Sequence, residues 1–453
     1  MHYQVQYSTN LIVHTKVTTT HFFTVTFLLN IEFLESLSYF YSMNYKQRFF
    51  ENRLTRLSDH FPVIVLTGAR QVGKTTLVEH CFSSTAKTIT FDPVIDVGNA
   101  RTEPEFFLQN NPPPLFLDEI QYAPELLGPI KRIVDREKKN GRFILSGSQN
   151  LSVLSNISES LAGRAAVVNL SGMSFRELHD RLNDASFLQQ WLSDGVFPLH
   201  MGAQNPGPEN FIRWAFRGGY PGTIELPQDL LGDYWQSYLR TYIERDVRRT
   251  ANLTNLQKFS RFFMLLAAYS SCEINHMQFG RELGIDRNTV EAWVNIAKAT
   301  FQWFTLPAYS RNPVKRIAGK EKGYFADTGF LCYLLSIGSP EGIFSHPNHG
   351  NIFETAIILE ILKNLQELGI PGNCYHFRTY SGAEVDCIIE HNGLLFLVEI
   401  KATSQPTKKH TSGFRSFREC FPNAKIAGEL IVCSVPEPVR ISETCMAVPW
   451  WQL

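Results

Sequence analysis

The sequence predicts an α/β fold: a parallel sheet interleaved with helices, then a helical segment, then a mixed α/β region. Three observations carry this. Short apolar runs alternate with helical segments over 61–180. A glycine-containing loop at 68–76 stands between the first run and a helix. Strand and helix patterns mix again from about 321 onward. Apolar strands alternating with helices form a mostly parallel sheet, because such strands are covered on both faces.

Size and charge bound the rest. At roughly 100–200 residues per domain, 453 residues give two to four domains. With 44% hydrophobic and 19% charged residues, there is material for packed cores and little room for long disorder. Lys+Arg and Asp+Glu both number 43, so the net charge is zero. That excludes a surface given over wholly to gripping a polyanion, but allows a local basic patch. None of the eight cysteines forms a CxxC pair. This argues against a zinc knuckle or redox motif and for the reduced thiols of a cytoplasmic protein. The longest uncharged stretch near the N-terminus lies between Lys16 and Glu32 and is studded with Thr. It is shorter than the ~18–20 apolar residues of a span, so neither a transmembrane helix nor a signal peptide is expected.

Taken in order, residues 1–43 are rich in Thr, Phe, Val and His and lack a clear period. They read as an N-terminal extension, either a weakly folded arm or an upstream stretch of reading frame, with folding expected to begin near Met43. A parallel-sheet domain follows over 44–180. NYKQRFFENRLTRL is amphipathic and leads into the runs PVIVLTG (62–68), TITF (88–91), PLFLDE (114–119) and RFILSG (142–147). Between these lie the helical TTLVEHCF and ELLGPIKRIVDREKKNG; the latter closes on Lys138, Lys139, Asn140 and Gly141, a basic helix end. A connector with NPGPEN and RGGYPGT spans 181–230, and a helical module spans 231–320. Over 230–320, thirteen Lys/Arg face seven Asp/Glu. The last domain is 321–453.

GARQVGKTT (68–76) fits G-x-x-x-x-G-K-[ST] between a strand and a helix, the context this motif needs. Gly68 and Gly73 permit a tight loop in which the backbone N–H groups of Ala69, Arg70, Gln71, Val72 and Thr76 can face phosphate oxygens. The helix start adds its positive end. Lys74 is placed to bridge the β- and γ-phosphates of ATP, and Thr75 to ligate Mg²⁺. LFLDE (115–119) is an apolar strand ending in two acids, read as neighbouring the phosphate-loop strand. Asp118 would hold the Mg²⁺ shell, and Glu119 would polarise the attacking water. RFILSGSQN ends in Ser146, Ser148, Gln149 and Asn150; in ATPases of this wiring a polar residue here lies between the acidic and phosphate strands, and Ser148 is read as either that γ-phosphate sensor or a loop-capping serine. Arg164 in LAGRAA is the nearest candidate for a charge-stabilising arginine.

These residues resemble a known family. GARQVGKTTLVE, FLDEIQYAPELLGPIKRIVD, ILSGSQN and LAGR followed by LSGMSFREL are similar to prokaryotic AAA-like P-loop ATPases whose C-terminal half is a domain of unknown function with a restriction-endonuclease-like core. GGYPGT (218–223), YLRTYIERDV (238–247), KGYFADTGF (322–330), NIFETAIILEIL (351–362) and GAEVDCII…LVEIKAT (382–403) resemble that partner domain in order. The resemblance implies ATP binding and an active or degenerate nuclease-type fold.

In GAEVDCIIEHNGLLFLVEIKA, Asn392-Gly393 is a strong two-residue hairpin signal. It pairs 391 with 394, so Asp386 would face Glu399, and Glu384 would face Lys401, all on one side. Opposed carboxylates repel. Lys401, a proton or a divalent metal must compensate. Asp386…Glu399-x-Lys401 is the spacing of PD-(D/E)XK nucleases, in which the acids hold Mg²⁺ and the lysine activates water. Glu354 lies on the apolar stripe of FETAIILEILKNLQEL and supplies a third acid. A solvated salt-bridge face is the alternative.

NHMQFGRELGIDRNTVEAWVNIAKATFQWF (275–304) reads as two helices joined at Gly284, with Asp286 as N-cap. This winged-helix-like outline could offer Arg287, Asn288, Thr289, Lys298 and the RDVRR run (245–249) to nucleic acid, or serve only for packing. The expected cofactors are ATP and Mg²⁺. DNA is the first expected partner, no membrane contact is expected, and a protein partner or homo-oligomer remains open. The alternative function is a nucleotide-gated protein-interaction module with an inert acid cluster.

Overall fold

The computed structural model describes residues 45–147, 160–182, 186–195, 197, 207–242, 256–312, 316, 319–370 and 372–453. The chain divides into two units, Met1–Gln47 and Arg48–Leu453. Every element below belongs to the second. The reading of 1–43 as an extension falls outside the described residues, as do Ser148 and the RDVRR run.

The first region opens with α1 (Phe50–His60) and continues through β1 (Val63–Thr67), α2 (Lys74–Phe82), β2 (Lys87–Thr90), α3 (Pro104–Asn110), β3 (Leu115–Asp118), α4 (Leu127–Glu137), β4 (Phe143–Gly147) and β5 (Ala165–Asn169). The sheet is parallel, in the order β2-β3-β4-β1-β5. β4 therefore lies between β3 and β1, where the reading of RFILSGSQN puts it, so the acidic and phosphate-loop strands are not direct neighbours. β5 was not anticipated. Both faces of the sheet are buried, which explains why its inner strands are continuous apolar runs. Ile64, Leu66, Phe116 and Ile144 face one core, and Val63, Val65, Leu117 and Leu145 the other.

Two short helices, α5 (Phe175–Leu178) and α6 (Phe187–Asp194), lead to α7 (Pro208–Arg217) and α8 (Leu231–Tyr242). Next come α9 (Leu256–Ala268), β6 (Cys272–Glu273), α10 (His276–Leu283), α11 (Arg287–Ala299), β7 (Trp303–Leu306) and β8 (Lys322–Phe325). Gly284 closes α10 in the left-handed region at φ 62°, and the Asp286 side chain accepts from Thr289 N at 3.0 Å to start α11, as the sequence predicts. β8 lies beyond residue 320, yet it pairs antiparallel with both β6 and β7 rather than with the C-terminal strands.

After α12 (Thr328–Leu334) and α13 (Gly342–Ser345) comes α14 (His349–Glu367), which is buried at eleven positions from Ile352 to Leu365 and is correspondingly apolar. The last sheet comprises β9 (Cys374–Arg378), β10 (Glu384–His391), β11 (Leu394–Ile400), β12 (Ile426–Cys433), β13 (Val439–Arg440) and β14 (Cys445–Pro449), with α15 (Ser412–Cys420) crossing between β11 and β12. Its order is β13-β14-β12-β11-β10-β9, a mixed sheet. The eight cysteines form no disulfide. Among the described residues no helix is long and apolar enough to cross a membrane.

Helix α14 joins the two halves. Glu360 accepts from Phe175 N at 2.9 Å, and Lys363 Nζ donates to Met173 O at 2.7 Å. Trp450, just past β14, stacks on Trp214 of α7 with centroids 5.5 Å apart. At the end of α14, burial pushes the Glu367 carboxyl up from 4.5 to about 7, against the opposing pull of Arg176 at 3.8 Å. A carboxyl raised on folding binds its proton more tightly in the native state. Its stabilising contribution is therefore present at acidic pH and lost as pH rises from about 4.5 to about 7. A Glu367→Gln variant, compared with wild type by thermal melting across that window, should lose this part of the pH slope and melt closer to wild type at the acidic end. Parallel wild-type and variant profiles would show that Glu367 keeps its ordinary pKa.

Candidate functional site

Because the sheet is parallel, β1, β3 and β4 all deliver their carboxyl ends to one edge, where α/β folds bind ligands. The phosphate loop leaves β1 there. Gly73 takes φ 89° at the start of α2, a left-handed conformation that L side chains rarely adopt. The buried Lys74 ammonium donates to Gly68 O at 3.0 Å and Ala69 O at 2.8 Å. Thr75 Oγ1 donates to Asp118 Oδ2 at 2.8 Å. The hydroxyl and carboxylate proposed to share a magnesium shell thus already touch.

Ser146 joins this group. Its hydroxyl donates to Asp118 Oδ1 and accepts from Glu119 N at 3.2 Å. The strand order places β4 between the acidic and phosphate strands, and Ser146 is the β4 residue that reaches Asp118. Its sequence signal was a lone hydroxyl in the apolar run FILSG. Glu119 sits at φ 57°, uncommon for a non-glycine residue, and its carboxylate accepts from Gln121 Nε2.

Arg164 is placed elsewhere. It precedes β5, whose start aligns with the start of β1, and its carbonyl accepts from Val63 N. Five strand residues at ~3.3 Å each put it about 16 Å from the phosphate-loop edge of its own chain. Its guanidinium is bonded to Asp135, with Nη2–Oδ2 at 3.0 Å. It is therefore not assembled with Lys74 and Asp118.

A cavity of about 420 Å³ lies over the phosphate loop, within the usual size range of ligand pockets. Arg70, Gln71, Gly73, Lys74, Thr75, Thr76 and Glu119 line it, together with Pro221 and with Tyr238 and Thr241 of α8. The RGGYPGT segment, read as a connector, is therefore part of the cavity wall. Tyr234 of α8 donates to Gln71 Oε1 at 2.8 Å. The loop is braced from behind by buried Arg48, which donates to Val72 O at 3.0 Å and Ser171 O at 2.8 Å while paired with Glu177 at 3.0 Å.

A second polar cluster lies in the C-terminal half. The hairpin register is as predicted from Cys387↔Val398 to His391↔Leu394. The β10–β11 pairs end at Cys387↔Val398, and beyond them the Asp386 side chain accepts from Ile400 N at 2.8 Å; the ladder that shifts, between Val385 and Ile388, is that of β10 with β9. Asp386 and Glu399 still meet through Lys401, whose Nζ is 3.3 Å from Asp386 Oδ2 and 2.7 Å from Glu399 Oε1. Glu384 does not face Lys401; it pairs with Lys322 and Arg378.

Lys322 and Tyr324 of β8 complete the cluster, and neither was anticipated. Lys322 Nζ lies 2.7 Å from Glu354 Oε1 and 3.2 Å from Asp386 Oδ1, and Tyr324 OH donates to Glu354 at 2.8 Å. Burial, and then Asp386, push the Glu354 carboxyl up to about 7. Burial and Asp386 likewise raise Glu399, whereas Lys322 and Lys401 hold Asp386 below its ordinary value against the cost of its own burial. Among the described residues no group of three or more His, Cys, Asp or Glu side chains is set to hold a metal ion.

Of the helix-turn-helix candidates, Arg287 and Asn288 are exposed on α11. Thr289 is bonded to Asp286, and Lys298 pairs with Glu321 at 2.6 Å.

Three family profiles match the chain in succession: an AAA domain over 60–179, domain of unknown function DUF8612 over 208–341, and domain of unknown function DUF4143 over 349–453. Uncharacterized proteins of Mycobacterium bovis (Mb2031c) and Mycobacterium tuberculosis (Rv2008c) are each 29% identical over 398 residues, covering 88% of this chain and 82% of each relative. Among solved structures, a Walker-type ATPase of Pyrococcus abyssi is 16% identical with a TM-score of 0.43, covering 65% of this chain and 97% of its own. The RuvB Holliday junction branch migration motor of Thermotoga maritima is 14% identical with a TM-score of 0.28, covering 60% of this chain and 90% of its own. The chain thus carries an AAA-type phosphate-loop ATPase domain at its N-terminal side and a DUF4143 domain at its C-terminal end.

Proposed function

We propose that this protein is a Mg²⁺-dependent ATPase that couples nucleotide turnover to a nuclease-like C-terminal domain engaging nucleic acid, with DNA as the first candidate. The observation that carries the ATPase is the contact of Thr75 with Asp118, held by Ser146 and set beside Lys74 at the mouth of one cavity. In this reading Lys74 binds the β- and γ-phosphates, Thr75 and Asp118 hold Mg²⁺, and Glu119 orients the attacking water. Phosphate release measured with MgATP, with EDTA and with added duplex DNA tests it. Turnover that persists in EDTA, or does not occur with Mg²⁺, rejects it.

Helices α9 to α11 with the β6-β8-β7 sheet form a winged-helix-like module in this reading, and the exposed start of α11 is its nucleic-acid face. An Arg287→Ala variant should weaken DNA binding and reduce the slope of log K against log salt by about one, the loss of one phosphate contact. An unchanged slope in a salt titration by fluorescence anisotropy would remove Arg287 from that face.

A second reading is favoured by one observation, the Lys322 ammonium among the C-terminal acids. There the cluster is catalytically inert, and the C-terminal half is a nucleotide-gated interaction module. Plasmid incubated with Mn²⁺ and either wild type or Glu399→Ala separates the two: cleavage lost in the variant supports the nuclease, and equal traces support the interaction module.

A further inference from the structure

Lys322 is 4% exposed and touches acids from two other elements: Glu354 of α14, and Glu384 and Asp386 of β10. Burial alone would neutralise a lysine. The surrounding carboxylates instead hold this one charged, with its pKa well above the ordinary value. Counting the cluster, the carboxylates of Glu354, Glu384, Asp386 and Glu399 face the cations Lys322, Lys401 and Arg378, the last 3.3 Å from Glu384. With all four acids ionised, one negative charge is left over. Glu399 answers for it: the residue is 6% exposed, and its Oε2 has no hydrogen-bond partner among the described residues. Without the Lys322 ammonium the surplus would be two, the charge of one divalent cation. Hard divalent cations take carboxylate oxygens from several elements, which is what this cluster offers.

We infer that Lys322 is a built-in plug: its ammonium occupies the seat of a divalent cation that Glu354, Asp386 and Glu399 would otherwise hold. The inference rests on the nuclease-like reading for its choice of ligand acids, but it concerns ion occupancy rather than cleavage. It accounts for a cluster that has nuclease-type acids yet is closed to metal while the ammonium is in place.

The test is Mn²⁺ titration of the nucleotide-free full chain, with free ion read by electron paramagnetic resonance. Wild type should take up no ion that depends on Glu399. Lys322→Ala should gain one ion per chain, and Lys322→Ala/Glu399→Gln should lose it again. Lys322→Gln, which keeps a hydrogen-bond donor beside Glu354, should also gain the ion and serves if the alanine variant does not fold. A wild-type ion that disappears with Glu399→Gln overturns the inference, as do folded Lys322 variants that take up none. Plasmid nicking by the Mn²⁺-loaded variant is scored separately. Uptake without nicking leaves the plug standing and rejects the nuclease, whereas no uptake rejects the plug itself.

Discussion

Replacing Lys74 by Ala should lower the rate of ATP hydrolysis by about 10²–10³-fold while leaving the fold intact. Phosphoryl transfer needs little covalent help from the protein; its catalysis is mostly positioning and charge stabilisation. Removing one preorganised donor from a developing oxyanion costs about 2.7–4 kcal/mol, which is that factor. In this structure the ammonium is buried and donates to two carbonyls of its own loop, Gly68 and Ala69. Each such bond from a charged donor contributes roughly 1.5–3 kcal/mol net, a loss confined to the loop's own carbonyls that should lower stability without unfolding the domain. Arg is not a remedy, because its wider planar fork does not reproduce a point charge on a flexible stem. Phosphate release and thermal melting on the same preparations decide the matter. Hydrolysis within a few-fold of wild type would show that Lys74 does not face the transferring phosphoryl group. A collapsed melting temperature would show that its role is structural.

What was legible in the sequence was local. The phosphate loop could be read because its spacing is contiguous and its helix start follows at once. The hairpin could be read because Asn392-Gly393 sets the register, and that register holds for five pairs. The α10–α11 turn was readable from Gly284 and Asp286, each acting on its own helix end. What failed depended on space. Ser148 was favoured over Ser146 on β4, because residue type alone does not say which hydroxyl reaches Asp118. Lys322 is 64 residues from Asp386, and nothing in KGYFADTGF marks its ammonium as the partner of Glu354. Arg164 was chosen for nearness in sequence, but a parallel strand carries its first residue to the far edge of the sheet. The predicted hairpin pairing stopped short of Asp386, whose carboxylate instead accepts from Ile400 N.

Asp327→Ala should be the most disruptive single change outside the phosphate loop, costing about 2–4 kcal/mol of stability and at least about tenfold in nucleotide affinity. Asp327 is buried and serves two segments at once. Oδ1 accepts from Phe330 N at 2.9 Å and caps α12, and Oδ2 accepts from Gly219 N at 2.7 Å. Loss of an N-cap costs about 0.5–2 kcal/mol, and a buried N–H left without an acceptor costs about 1–3 kcal/mol. The second loss lies beside the site. Gly218 holds φ 79°, and a Cβ there would come within 2.3 Å of the Asp327 carboxylate, so the loop and this acid are built around each other. Two residues beyond Gly219, Pro221 lines the nucleotide cavity and packs 3.5 Å from where a Cβ on Gly73 would lie. Freeing Gly219 therefore loosens the wall against which the phosphate loop is shaped, and ordering that wall again must be drawn from the binding energy of the nucleotide. A tenfold loss corresponds to about 1.4 kcal/mol, well within what the two broken bonds release. Asp327→Asn should fall between, since its amide oxygen can serve one N–H while its NH₂ opposes the other. The strand that ends two residues before Asp327 begins with Lys322 in the acid cluster. The same variant thus asks whether the two sites share a lever. ATP affinity by calorimetry, read beside melting temperature, separates the cases. Lost stability with unchanged affinity would confine Asp327 to capping α12, and lost affinity would place it in the nucleotide wall.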